Sequence, residues 1–118
     1  MKLYAARIFV DDLAAARAFY EGVLGLTVLW EQEGAALGLA VGAAMLIVEP
    51  EDRDGPEGAL VGRFLGLSLA IADIAAEHAR LSDAGVAFEG PPERQPWGGT
   101  LAHLRDPAGN VLTLVQER

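Results

Sequence analysis

The sequence predicts an α+β fold of two tandem βαβββ modules. Three observations lead there: a motif that recurs in the second half, an aspartate ahead of each apolar helical stripe, and Gly/Pro clusters that cut the remainder into strand-length pieces. Val10-Asp11-Asp12-Leu13-Ala14-Ala15 lines up with Ile71-Ala72-Asp73-Ile74-Ala75-Ala76, and Gly25-Leu26 meets Gly85-Val86 one residue out of step. A lone module would leave one sheet face bare, so two copies should pair to bury it. The predicted organisation is a single domain, with module 1 at about 1–50, a linker at about 51–62 and module 2 at about 63–118.

Residues 3–10 are rich in β-formers and stop at Asp11-Asp12. Leu13, Ala16, Phe19, Tyr20, Val23 and Leu24 then form one helical stripe, so a helix is predicted over 12–24. An aspartate before it caps the free backbone N–H groups, and Gly25 supplies the positive φ that ends it. Gly34, Gly38 and Gly42 punctuate three strands at 27–31, 35–41 and 44–49. The charged, Gly/Pro-rich stretch that starts at Pro50 reads as the linker. After it the pattern restarts. A strand over 65–72 leads to Asp73 as cap, a stripe of Ile74, His78, Leu81 and Ala84, and Gly85 as stop. A short strand at 86–88, a Pro-rich turn, and a hairpin of 100–105 with 111–116 complete the second module.

Composition removes several function classes. With 9 Lys+Arg against 17 Asp+Glu the net charge is −8, which disfavours nucleic acid and anionic membrane surfaces alike. No cysteine is present, so disulfides, thiolate metal sites and cysteine nucleophiles are excluded together. No apolar run approaches the ~20 residues of a bilayer span, and the N-terminus leads straight into an alternating apolar segment rather than a secretory signal. The expected location is cytoplasmic. No phosphate-binding loop, dinucleotide fingerprint, His-x-x-x-His helix or nucleophile elbow is found.

Val10-Asp11-Asp12-Leu13 with Phe19-Tyr20 and Leu24-Gly25-Leu26, then Trp97-Gly98 and Asp106-Pro107-Ala108-Gly109-Asn110-Val111-Leu112, resemble the vicinal oxygen chelate superfamily of glyoxalase I, bleomycin-resistance proteins and extradiol dioxygenases. The resemblance implies two modules whose sheets curve around a cleft, and commonly a homodimer. It also implies, in catalytic members, one divalent metal held by His and Glu on the first and last strands of each half. Those positions fall on Ala5, Leu46, Gly66 and Thr113. Ala, Leu and Gly offer no side-chain donor, and a Thr hydroxyl is a poor substitute for imidazole or carboxylate. The sequence is therefore closest to metal-free, bleomycin-resistance-like members, with no cofactor and no catalytic residue expected.

Other residues make the candidate site. If the 106–110 turn pairs Arg105 with Val111, His103 pairs with Thr113 and shares its face. Strand parity adds Arg7 and Phe9 from the first strand and Ser68 from the second module, and Trp97 stands at a loop-to-strand junction. The expected ligand-binding set is Arg7, Phe9, Ser68, Trp97, His103 and Thr113, and the expected ligand a small organic molecule, with cationic drugs or metabolites favoured by the acidic balance. Glu49 reads as a solvated strand end, opposite in face to Leu46, and His78 as a partly buried packing residue. Two alternatives stand beside this: a metalloenzyme with relocated ligands such as His103 and Glu49, and a regulatory dimer without a ligand.

Overall fold

A computed structural model of the chain describes residues 1–118. It separates into two compact units, Met1–Arg63 and Phe64–Arg118. Each is a helix-backed mixed sheet; the first follows the predicted βαβββ order and the second adds one short strand to it.

The first unit contains β1 (Ala6–Val10), α1 (Leu13–Arg17), β2 (Thr27–Gln32), β3 (Ala36–Val41) and β4 (Ala44–Pro50). Sheet order is β1-β4-β3-β2, with β1 parallel to β4 and the other pairs antiparallel. β1 starts at Ala6 rather than residue 3; Leu3 and Tyr4 precede it, largely exposed. Asp12 caps α1 as expected, its Oδ1 accepting from Ala15 N at 3.0 Å. The helix predicted over 12–24 is not uniformly α. From Ala18 to Val23 it widens to a π-helix, with Leu24 N donating to Phe19 O at 2.8 Å. The wider turn is compatible with two consecutive aromatics facing inward: Phe19 and Tyr20 are both buried and meet edge to face at 5.0 Å. With Ala16 they form the helix's buried face. Ile8, Val10, Leu37, Leu39, Leu46 and Val48 form the sheet's, all at 2% exposure or less. Each such side chain contributes roughly 1.5–3 kcal/mol by leaving water.

The stretch read as a linker is bonded to the first unit. Glu51 N donates to Val10 O at 2.8 Å, Val61 bridges Phe9 in parallel, and Arg53 pairs with Asp11 at 3.0 Å. A short 3₁₀ turn, Gly58–Leu60, lies between these anchors.

The second unit repeats the plan with β5 (Phe64–Ala70), α2 (Ile74–Asp83), β6 (Ala87–Phe88), β7 (Glu93–Arg94), β8 (Thr100–Arg105) and β9 (Val111–Gln116). Its order is β5-β9-β8-β6, and β7 also pairs with β8. The two-residue strand β7 lies inside the Pro-rich turn and was not foreseen. Asp73 caps α2 through Ala76 N at 3.1 Å, while Gln116 Oε1 accepts from Ile74 N. The core joins Ile74 and Leu81 of the helix to Ala102, Leu104, Leu112 and Leu114 of the sheet. The β8–β9 register is the predicted one, Arg105 opposite Val111 and His103 opposite Thr113.

Candidate functional site

In each unit one sheet face carries the buried leucines, and the alternate residues occupy the other face, here called the open face. In the first unit its rows follow from register. Arg7 lies beside Ile47, Gly38 and Trp30; Phe9 lies beside Glu49. Arg7 is fixed by a bidentate bond to Glu49, Nε to Oε2 at 2.6 Å and Nη2 to Oε1 at 2.9 Å. Its guanidinium also stands 5.2 Å from the Phe9 ring centroid. Arg7 holds the Glu49 carboxyl below the usual carboxylate range, chiefly through the hydrogen bond. Glu49 is thus no solvated strand end, since its side chain is 23% exposed and fully engaged.

Leu46 needs correcting. Parallel pairing sets Leu46 beside Ala6, on the buried face with Ile8, so it does not share the parity of Ala5 and Arg7. Ile47 and Glu49 do. The partner of a parallel strand is set across the sheet and not by a local turn, so this parity is not legible in the local sequence.

Trp30 lies on the open face at 37% exposure, its Nε1 donating to Met45 Sδ at 3.4 Å. A Cβ on Gly38 would overlap the indole, so the glycine is what lets the ring lie flat on the sheet. This stacking had a sequence signal, a glycine inside a strand pattern.

In the second unit the row Ser68, Thr113, His103 crosses three adjacent strands. His103 Nδ1 and Thr113 Oγ1 are 2.9 Å apart, and Thr113 is 4% exposed. Phe64, which sequence reasoning missed, is 63% exposed and meets the His103 ring edge-on at 6.1 Å. Gly66 takes φ +66° where the β5–β9 register shifts, so the expected ligand position is a left-handed bulge residue. Trp97 is 52% exposed in the turn before β8, where Gln95 N bonds Gly99 O at 2.8 Å. As with Trp30, a Cβ on a glycine, here Gly99 two residues on, would overlap its ring.

The structure thus groups Arg7 with Phe9, and Ser68 with His103 and Thr113, each set on the open face of its own unit. His78 is elsewhere, on α2, its ring 4.2 Å from that of Phe88 and its buried Nε2 without a partner.

These residues do not fit a divalent metal. Ala5 and Gly66 have no donors, Thr113 offers a hydroxyl bonded to His103, and Glu49 is neutralised by Arg7. No group of three or more His, Asp or Glu side chains converges as a metal would need.

The model of the Glyoxalase/Bleomycin resistance protein/Dioxygenase superfamily matches residues 2–114. The chain belongs to this superfamily. It is 30% identical over 127 residues to the uncharacterized protein YraH of Bacillus subtilis (strain 168), covering 98% of both chains. Among solved structures, a superfamily member from Sphaerobacter thermophilus is 29% identical with a TM-score of 0.83, over 99% of this chain and 98% of that one. TnmS3, an antibiotic-binding protein from Streptomyces sp. CB03234, is 32% identical with a TM-score of 0.79, over 100% and 97%. No helix of this superfamily member is long and apolar enough to cross a membrane.

Proposed function

We propose that this protein binds a small organic molecule without metal and without turning it over. The observation that carries the reading is the open face of the second unit. A hydrogen-bonded His103–Thr113 pair lies there beside exposed Phe64, so an apolar surface offers one fixed polar group. Ser68 in the same row and Trp97 ahead of β8 belong to this proposed set, and Arg7 and Phe9 form a separate candidate patch on the open face of the first unit. The antibiotic-binding relative supports the ligand class. A net charge of −8 favours cationic molecules, which it would steer inward. A cytoplasmic homodimer is part of the same reading, C2 pairs being the commonest oligomers.

A metalloenzyme with relocated ligands is less well supported, because Glu49 is committed to Arg7 and His103 to Thr113. The test is a thermal-shift and tryptophan-fluorescence screen with aromatic antibiotics and aromatic amines. A hit should be weakened about fivefold or more by His103→Ala, the loss of roughly 1 kcal/mol of hydrogen bonding. His78→Ala should lower stability and leave affinity unchanged. Metal-dependent turnover of any screened compound would overturn the proposal.

A further inference from the structure

The hydroxyl of Thr113 is enclosed, the residue being 4% exposed, and His103 Nδ1 lies 2.9 Å away as its hydrogen-bond partner. Two arrangements satisfy that distance. If Nδ1 carried the ring proton and donated to Oγ1, the hydroxyl proton would be left without an acceptor in a closed environment, which is costly. If the hydroxyl donates to the Nδ1 lone pair, both groups are satisfied and the ring proton must sit on Nε2. Nε2 itself makes no hydrogen bond and is not enclosed; the buried polar side-chain atom without a partner is on His78. Phe64, edge-on to the imidazole, walls the same spot with an apolar surface.

We infer that Thr113 locks His103 as the Nε2–H tautomer, making it the specificity-determining hydrogen-bond donor of the open face. An occupant must then bring a carbonyl or comparable oxygen acceptor to that point, and a donor group there meets another donor. Thr113 acts through His103 as a positioning residue. This rests on the binding function proposed above and adds the chemistry of one contact to it.

Nitrogen-15 correlation spectra of the imidazoles above the ordinary histidine range, at about pH 8, read the tautomer directly, with His78→Gln assigning the two rings. Wild type and Thr113→Ser should show His103 with a pyrrole-type Nε2 and a pyridine-type Nδ1. Thr113→Val should move the averaged shifts toward a tautomer mixture. A protonated Nδ1 in the wild type, or a Thr113→Val spectrum identical to wild type, overturns the lock. Acetophenone and its isostere α-methylstyrene, in which CH₂ replaces the carbonyl oxygen, then probe the acceptor requirement. Acetophenone should shift the Nε2 resonance and α-methylstyrene should not. Equal shifts overturn donor selection, whereas silence of both probes across the open face overturns the binding function and donor selection together, the tautomer result standing apart.

Discussion

Replacing Asn110 by alanine should destabilise the second unit by taking an amide donor from a buried carboxylate. Asn110 is fully buried, and its Nδ2 donates to Asp106 Oδ2 at 3.0 Å. The other carboxylate oxygen accepts from Ala108 N at 3.0 Å and Asn110 N at 2.8 Å, and these backbone bonds survive the substitution. No non-glycine residue has positive φ, so alanine carries no backbone penalty at this position. The loss includes a charge-assisted hydrogen bond to a carboxylate that is 4% exposed, about 2–3 kcal/mol. At roughly 4 °C per kcal/mol for a chain of this size, Tm should fall by about 8–12 °C. Thermal melts by circular dichroism measure the shift, and urea titrations with an unchanged m-value would show that the unfolded state is not its source. A Tm within about 2 °C of wild type would refute the reasoning, since the buried carboxylate would then not depend on this donor. The bond matters for the site because the same turn sets His103 opposite Thr113.

Three further outcomes are expected. Glu49 has its carboxyl held below the ordinary range by Arg7, so the pair's stabilisation is present above that range and fades as pH falls through the lowered value; acid titration of stability in Glu49→Gln should lack this limb, and an unchanged acid profile would remove the pair's role. Wild-type melting curves should overlay with and without Zn²⁺ or Ni²⁺, and so should those of Gly66→His, itself destabilised by about 1–2 kcal/mol at φ +66°, because one added imidazole falls short of the ligands a metal needs; a large chelator-sensitive rise in wild type would refute the donor argument. Gly99→Ala should displace the Trp97 ring from its seat, read as a change in tryptophan emission and near-ultraviolet dichroism; identical spectra would show that the ring does not use that seat.

What the sequence by itself determined is what short-range chemistry decides. Asp12 and Asp73 each cap their helix through the residue three positions on, and both bonds are formed. The Asp106–Asn110 turn closes within five residues, so the register that brings His103 to Thr113 could be counted from it. The repeated motif carries the βαβββ plan that both units share, apart from the added β7, for the same reason, since caps, stops and strand lengths are local. The tertiary structure alone decided the rest. Leu46 and Glu49 exchange faces relative to the expected site because β1 meets β4 only after the whole module has folded, and that parallel register follows from which side chains fill the core. The stretch after Pro50 looked like a linker by composition, yet the Glu51–Val10 and Arg53–Asp11 bonds tie it down through partners some forty residues away. The seats of Trp30 on Gly38 and of Trp97 on Gly99 depend on space that a missing Cβ leaves, and where that space lies is a property of the packed sheet. Gly66 was visible as a glycine, but its bulge became visible only when β5 lay against β9, where a shifted register and a left-handed backbone are two descriptions of one kink.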